Sequence, residues 1–342
     1  MDLHKSKKLN KYTKISLLLF AVSIIAVLLF VSDIINYANK PAGSDKSLKF
    51  IVVEKGQTFI KTAYSLKESG IIKNPKKFRF YALLKGYDKI IKTGEYAFST
   101  SMSPALILDK MVKGKTYLHK ITVPEGYNMQ QIEALVSEAG FGTKESFLRI
   151  SSDASFMHEK KIEALSFEGY LYPDTYFFSK GESVKSIIST MVDRFWSVYS
   201  SKLEARAKEI GFSTHEIVTL ASIIEKETAA PEERPLISAV FHNRLKLGMR
   251  LETDPTVIYG INDYKGNITR KHLSAKTPYN TYVIRGLPPG PIASPGFESI
   301  EAALYPANVP YLFFVSKNDG THYFSAKFSE HDNAVRKYQL RK

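Results

Sequence analysis

One uninterrupted apolar stretch dominates the start of the chain. Residues 15–32 contain neither a charged side chain nor proline, and Ile34 and Ile35 extend the stretch past Asp33. Eighteen such residues form a helix that can span a bilayer at about 1.5 Å per residue. A helix buried in a soluble domain is seldom apolar on every side. The pattern therefore predicts a single transmembrane helix over residues 15–35.

A cleaved signal peptide is the alternative interpretation of this stretch. The apolar part of a signal peptide is normally shorter and precedes an A-x-A-like site, whereas here the chain continues with S-D-I-I-N-Y. We therefore expect an uncleaved anchor. Positively charged flanks remain in the cytoplasm, so we expect residues 1–14 to form a cytoplasmic tail and the chain after about residue 38 to be exported. The flanking lysines are Lys5, Lys7, Lys8, Lys11 and Lys14.

A pattern of strand, glycine turn and helix follows the anchor and then returns. After a short polar linker, the apolar run at 50–53 predicts a strand, and residues 57–69 predict a helix that ends at Gly70. About 70 residues later a strand at 121–123 precedes a second helix, which ends at Gly140. Two copies are too few for a solenoid. They are compatible with small modules of the kind that bind glycan.

Helices dominate the pattern of the second half. Apolar residues at helical spacing predict one long helix over 182–212 and a second over 214–228, and a third begins at Pro231 and ends at Gly248. From residue 251 the chain is irregular, and 311–315 reads as a buried strand. Tyr338 lies in a predicted final basic helix. Strands and helices are therefore mixed along the chain, and we expect an α+β fold.

Composition and charge narrow the classes of function. The chain of 342 residues has no cysteine, which excludes disulfides, thiol nucleophiles and cysteine metal sites. The net charge is +14. Export excludes nucleic acid as a partner, so anionic wall polymer or a lipid surface would match this charge. Solubility alone explains the charge equally well.

One carboxyl lies where the helix over 214–228 should be apolar. Continuing the spacing of its apolar residues leads to Glu227, whereas Glu225 lies about 200° away around the helix. Burial raises the pKa of a carboxyl, and a protonated acid is what cleavage of a glycosidic bond requires. On spacing alone, the better supported alternative is that Glu227 turns to water or pairs with Arg234 or Arg244. Glu225 and Lys226 are most simply a solvated face. The apolar residues are Ile217, Leu220, Ile223 and Ile224.

Several irregular segments carry side chains that suit a cleft for sugars. T-D-P-T at 253–256 predicts a turn, Y-N-T-Y at 279–282 offers two phenols and an amide, and 286–292 is rich in proline and glycine. Each segment taken alone is better explained as a structural loop. The sequence has no H-E-x-x-H pair, no G-x-S-x-G elbow and no P-loop, so zinc peptidase, α/β-hydrolase and nucleotide chemistry fit poorly.

In combination these segments closely resemble the YceG-like family of endolytic murein transglycosylases. The resemblance covers about residues 47–340 together with the anchor, and it depends on the order and spacing of seven segments. They are E-G-Y-L-Y-P-D-T-Y at 168–176, E-K-E-T at 225–228, F-H-N-R-L at 241–245, G-M-R-L at 248–251, T-D-P-T-V-I-Y-G at 253–260, Y-N-T-Y at 279–282 and G-L-P-P-G-P-I at 286–292.

The resemblance implies both an architecture and a reaction. It implies one transmembrane anchor in the cell (inner) membrane, a LysM-like βααβ subdomain over 47–118 and a catalytic domain over 119–342. The second glutamate of the E-K-E-T segment, Glu227, is implied to be the single catalytic acid and base, and Thr228 fits the Ser or Thr that generally follows it. The substrate would be peptidoglycan glycan strands, with peptidoglycan synthases as candidate partners and neither a metal nor an organic cofactor.

The polar segments lead to an expectation about the cleft. An oxocarbenium-like state needs electrostatic support, so we expect residues from three segments to converge on Glu227. The alternatives are that Asp254 caps a helix at Thr256 and that Arg244 pairs with a surface acid. The expected substrate-binding residues are Tyr279, Asn280, Tyr282, Asp254 and Arg244.

Two other functions remain open from the sequence. The first is a glycan-binding scaffold that recruits wall synthases, and the second is a muramidase that uses Asp254 or Glu252 as a second carboxylate. The three functions differ in their products: anhydro ends, reducing ends or none.

Overall fold

The chain forms two compact units in a computed structural model that describes residues 11–262 and 264–340. The first unit contains the residues up to His119 together with Ser179–Gly181, and the second contains Lys120–Phe178 and the residues from Glu182 onward. The expected cytoplasmic tail lies mostly outside the described residues. Helices and short strands are mixed in both units, which confirms the predicted α+β class.

The predicted apolar helix is present and longer than expected at both ends. It is α1 (Lys11–Asn39), and among the described residues it is the one helix that is long and apolar enough to cross a membrane by length and composition. The apolar side chains of its central part are exposed, as in a helix that has no protein around it. Near its end Ile34 and Ala38 are buried against the rest of the first unit.

The rest of the first unit has the order strand, helix, helix, strand, helix. The two strands pair antiparallel, with Lys49 opposite Phe98 and Val53 opposite Gly94. Each helix begins after a residue whose side chain accepts a hydrogen bond from the first turn, namely Thr58, Asn74 and Ser103. The elements are β1 (Lys49–Val53), α2 (Phe59–Glu68), α3 (Pro75–Lys85), β2 (Gly94–Phe98) and α4 (Pro104–Lys113).

Helices form most of the remaining chain. Its strands form two short pairs, β3 with β4 and β5 with β6. The elements are β3 (Leu118–Thr122), α5 (Met129–Glu138), α6 (Lys144–Ser151), α7 (Ala154–Glu159), β4 (Thr175–Ser179), α8 (Val184–Val198), α9 (Ser201–Glu209), α10 (Thr214–Glu227), α11 (Arg234–Lys246), α12 (Asp254–Tyr259), α13 (Arg270–Ser274), α14 (Phe297–Leu304), β5 (Phe313–Ser316), β6 (His322–Ser325) and α15 (Phe328–Tyr338).

The prediction of one long helix over 182–212 is wrong. The structure has two helices, α8 and α9, because the backbone leaves the helical conformation at Tyr199 and becomes extended at Ser200, the N-cap residue of α9. The apolar periodicity continued across this break, since both helices bury residues in the same core.

The central element of the second unit is α10. Ser213 starts it with a capping box in which the Glu216 side chain bonds back to the Ser213 backbone. Every residue from Ile217 to Ile224 is buried, including polar Thr219 and Ser222, because α10 packs against α9, α11, α12 and α14. The expected amphipathic helix is therefore a helix enclosed on all sides, and its last turn leads out of the core.

Strand β4 allows a matched test of the core of the second unit. Phe178 is 4% exposed and packs edge-on against Phe141 at 5.8 Å, whereas its neighbour Phe177 is 57% exposed. We expect Phe178→Ala to lower the free energy of unfolding by about 3–5 kcal/mol, because it leaves a cavity. Phe177→Ala should change it by less than about 0.5 kcal/mol. Urea unfolding of both variants measures the difference, and equal losses would contradict this packing.

Candidate active site

Glu227 is the last residue of α10, and its carboxyl group faces a hydroxyl. The helix ends because Thr228 adopts an extended backbone. Oε1 of Glu227 accepts a short hydrogen bond from Oγ1 of Thr253. The side chain keeps some contact with solvent, but the surrounding protein displaces most of the water from the carboxyl group.

The surroundings of Glu227 bring its pKa near neutrality. Burial raises the pKa of Glu227 to about 7, the hydrogen bond from Thr253 opposes this rise, and the charges of Asp254 and Arg244 act in opposite directions. Arg234 pairs with Glu298, and Arg244 pairs with Glu252 at 3.4 Å. The alternative in which Glu227 pairs with one of these arginines is therefore not what the structure has. A carboxyl in this state can both give and take a proton near pH 7.

The hydroxyl that faces Glu227 belongs to Thr253, which is hydrogen-bonded to two other buried threonines. The N–H of Thr253 donates to Oγ1 of Thr281 at 3.0 Å, and Oγ1 of Thr256 donates to the carbonyl of Thr253 at 2.7 Å. The hydroxyls of Thr256 and Thr281 also bond to each other at 2.8 Å. Thr253 is the N-cap residue of α12, so the threonines tie the start of that helix to Glu227. The sequence marked this segment only as a turn.

A second buried carboxyl, that of Glu168, holds the other end of α12. The phenol of Tyr259, the last residue of α12, donates to Oε2 of Glu168 at 3.0 Å. The N–H of Met129 donates to both carboxylate oxygens, at 3.0 and 3.1 Å. Burial raises the pKa of Glu168 to about 7. The sequence placed Glu168 in a family segment, and its only sign of burial was its position between Phe167 and the apolar run that follows.

Asp254, Tyr282 and Arg244 lie close enough to Glu227 for electrostatic interaction with its carboxyl. The Tyr282 phenol donates to Oδ1 of Asp254 at 2.7 Å. The charges of Asp254 and Arg244 both act on Glu227, and burial, Asp254 and Glu227 all raise the pKa of the Tyr282 phenol. Asp254 is the first residue of α12 and Thr253 occupies the N-cap position, so the alternative in which Asp254 is the cap of a helix at Thr256 is not what the structure has.

Arg244 is buried, and its guanidinium binds backbone carbonyl groups as well as the carboxylate of Glu252. Its Nε donates to the carbonyl of Leu312 at 2.7 Å, and its Nη1 donates to the carbonyl of Leu251 at 2.8 Å. The guanidinium also lies over the ring of Phe313, 5.3 Å from the ring centre. These contacts join the end of α11 to the segments before α12 and β5, so Arg244 shapes the site from behind.

The contacts of Asn280 and Tyr279 are made with other parts of the second unit. Asn280 has no exposed surface, and its side-chain amide donates to the carbonyl of Ala275 at 2.7 Å while its oxygen accepts from the N–H of Tyr282 at 3.0 Å. A side chain occupied in this way shapes a turn and does not suit contact with a substrate. Tyr279 packs against Tyr259 with ring centres 4.7 Å apart, on the side of Glu168.

The expectation of a solvated face at Glu225 is wrong. Oε2 of Glu225 accepts hydrogen bonds from the N–H of Gly296 at 3.1 Å and from the hydroxyl of Ser299 at 2.7 Å. Gly296 is the N-cap of α14, so Glu225 satisfies the start of the helix that packs against α10. Lys226 is exposed, and its Nζ donates to the carbonyl of Gly126 at 3.2 Å. Periodicity within α10 carries no information about these neighbours.

The donor set of the site is acidic and hydroxylic. Over residues 11–262 and 264–340, no group of three or more histidine, aspartate or glutamate side chains is placed to hold a metal ion. What the arrangement can do is transfer protons at Glu227, with Asp254 beside it to support positive charge.

Removal of the Thr253 hydroxyl should raise the pKa of Glu227 further. The hydroxyl donates to the carboxylate and so stabilises the ionised form, and without it the ionised form is less favoured. Thr253→Ala should therefore move the titration of Glu227 above about 7, while Thr190→Ala, on exposed α8 surface, should not. Carbon-13 NMR of labelled glutamate carboxyls, with Glu227→Gln to assign the signal, measures this. A downward shift would contradict the proposed role of this bond.

Comparisons with known proteins agree on one family. A profile of the YceG-like family matches residues 51–337. An endolytic murein transglycosylase of Bacillus subtilis is 34% identical over 304 residues, which are 84% of each chain. One of Streptococcus pneumoniae is 30% identical over 84% of this chain, which spans 58% of that longer relative. A crystal structure of a YceG-like protein from Listeria monocytogenes, 35% identical, superposes with a TM-score of 0.59 and covers 84% of this chain and 99% of its own. The chain therefore belongs to the YceG-like family.

Proposed function

We propose that the protein is an endolytic murein transglycosylase, a lyase that cuts glycan strands between MurNAc and GlcNAc and leaves 1,6-anhydro ends. The observation that carries the proposal is the carboxyl of Glu227, which ends a buried helix, faces Thr253 and has a pKa of about 7. The names of the relatives from B. subtilis and S. pneumoniae support the same activity. Cleavage of this kind would terminate or trim nascent strands.

One carboxyl suffices for both halves of the reaction. Protonated Glu227 donates its proton to the oxygen between MurNAc and GlcNAc, and the bond from that oxygen to C1 of MurNAc breaks. Ionised Glu227 then takes the proton of the C6 hydroxyl of MurNAc as O6 bonds to C1. The carboxyl is restored to its protonated form and no water is consumed. Because the nucleophile belongs to the same sugar, no second carboxylate is needed to activate it.

In the proposed reaction, Asp254 and Tyr282 provide electrostatic stabilisation. The positive charge that develops on the MurNAc ring is stabilised by the carboxylate of Asp254, whose orientation the Tyr282 phenol maintains. Arg244 acts as a positioning residue through the backbone carbonyls that it binds. Tyr279 belongs with Tyr259 at the far end of α12, where its ring suits a more distant sugar.

The proposed domain organisation corresponds to the two units of the structure. The strand, helix, helix, strand order of β1 to β2 supports a LysM-like subdomain over 47–118, with catalysis assigned to 119–342. Helix α1 supports a single-pass anchor in the cell membrane, with the N-terminus in the cytoplasm and both units outside. Peptidoglycan is the proposed substrate, and wall synthases are the proposed partners of an anchored enzyme of this kind.

Glu227→Gln tests the catalytic assignment directly. The change keeps size and hydrogen bonding but removes the titrating proton, so turnover of isolated peptidoglycan should fall by about 10²–10⁴-fold with little change in thermal unfolding. Glu225→Gln is the matched control two residues away, and its amide oxygen can still accept from Ser299. It should leave turnover within a few-fold of the unmodified protein. The reverse order of effects would overturn the assignment.

Mass spectrometry of the products separates the proposal from its alternatives. Anhydro ends support a transglycosylase. Reducing ends would identify a muramidase that uses Asp254 or Glu252, and binding without products would identify a scaffold.

The orientation of the anchor can be tested with a reporter fused after the C-terminus. The lysines before residue 15 should keep the N-terminus inside, so a reporter that requires export should be active and one that requires the cytoplasm should not. The opposite pattern of reporter activity would mean that both units lie in the cytoplasm and have no access to the wall.

A further inference from the structure

Helix α3 runs alongside the end of the anchor helix. The ring of Phe80 meets that of Phe30 edge-on at 5.4 Å, and the phenol of Tyr37 donates to the carbonyl of Asn74 at 2.8 Å. Between these contacts Lys77 pairs with Asp33 at 2.6 Å. As the number along α3 rises from 74 to 80, its partner on α1 falls from 37 to 30. The two helices are therefore antiparallel.

This arrangement places the end of α3 beside the apolar stretch of α1. Phe30 lies within the uncharged residues 15–32, so Phe80 lies at the depth of that stretch. Helix α3 continues to Lys85, which is about 7 Å further along an α-helix. If α1 spans a membrane, the last turn of α3 lies at or below the boundary between headgroups and acyl chains.

The side chains on this part of the first unit are apolar and exposed. Leu83 and Leu84 are 44% and 54% exposed, and Phe80 and Ile90 are exposed to a similar extent. A cluster of this kind on a soluble protein marks a contact with another protein or with a membrane. Its continuity with the apolar stretch of α1, through Phe30 and Phe80, favours the membrane.

Basic side chains occur on α3 and around the end of α1. The sequence of α3 is P-K-K-F-R-F-Y-A-L-L-K, which has four basic residues and no acidic one. At the end of α1 a cavity of about 260 Å³ is lined by Lys40, Lys73 and Lys77, by Asp33, whose carboxylate pairs with Lys77, and by Asn36 and Tyr37. This volume is smaller than the roughly 300–1,000 Å³ of sites for drug-sized ligands, and it can take a group as small as a headgroup phosphate. Lysines at this level attract the phosphate of anionic lipids.

We propose that α3 and the turn after it insert into the outer interface of the membrane, and that the cavity at the end of α1 binds the headgroup phosphate of an anionic phospholipid. The proposal rests on the anchor proposed above. Leu83 is three residues beyond Phe80, so it lies about 5 Å further along α1 than the contact between Phe80 and Phe30, within the level of the apolar stretch. The first unit would then be held at a fixed height above the bilayer, which a single spanning helix alone does not ensure.

Spin labels can measure the depth of α3 in the full chain. The sequence has no cysteine, so single cysteines can be placed at Leu83, at Ile60 and at Ile25 without other changes. Ile60 on α2 is the matched control, because its exposure of 43% equals that of Leu83 within one per cent. In vesicles of phosphatidylcholine and phosphatidylglycerol, the label at 83 should be more accessible to oxygen than to a nickel chelate, and the label at 60 the reverse.

The label at Ile25 distinguishes a failure of the proposed anchor from a failure of the proposed insertion of α3. If it reports lipid while the label at 83 reports water, the anchor stands and the insertion of α3 is overturned. If both report water, the anchor itself fails. Lipid accessibility at 25 and 83 but not at 60 supports insertion.

Native mass spectrometry of the full chain tests the headgroup site. Lys40→Gln with Lys73→Gln should lower the retention of phosphatidylglycerol several-fold, whereas retention of phosphatidylcholine should not change. The control pair, Lys55→Gln with Lys67→Gln, removes the same charge from exposed positions of the same unit. An equal loss in both pairs would overturn the site in favour of a general effect of charge. Displacement of the lipid by inorganic phosphate at millimolar concentration would overturn a lipid as the ligand.

Discussion

The candidate site is built around the contact between the carboxyl of Glu227 and the hydroxyl of Thr253. This contact depends on the burial of α10. Because Ile217 to Ile224 are enclosed by other helices, α10 cannot rotate, and the direction of its last side chains is set by the core. Glu227 lies where α10 leaves that core. There the surrounding protein displaces most of the water from the carboxyl group, and the hydroxyl of Thr253 donates a hydrogen bond to it. Burial of this carboxyl, at the end of a helix held in place by its packing, raises its pKa to about 7.

Helix α12 carries this constraint across the site, since a carboxyl holds each of its ends. Thr253 bonds to Glu227 at its start, and Tyr259 bonds to Glu168 at its end, about 9 Å apart along six residues. Burial raises the pKa of both carboxyls to about 7. Asp254 and Tyr282 depend on the same short helix for their place. Glu168 and Glu227 are therefore joined through one short helix.

Part of this protein was determined by its sequence alone. An uncharged apolar stretch of eighteen residues can satisfy its backbone groups in a bilayer only as a helix, so α1 was predictable, although its ends were not. Periodicity identified α10 and distinguished Glu227 from Glu225. The order of short segments indicated the family, and helix starts such as Ser213 carried their own capping residues. In each case the cause lies within a few residues of the effect.

The tertiary structure decided the partners of those residues. Thr253 lies 26 residues from Glu227, Glu168 lies 91 from Tyr259, and Glu225 lies 74 from Ser299. Periodicity reports that a face is covered but not by which segment, so the helix cap at Glu225 was read as a solvated face and the turn that Asn280 holds was not predicted. The break between α8 and α9 was missed for the same reason, since both sides pack on one core. Contacts between distant segments depend on how the elements pack together, and no local pattern encodes that packing.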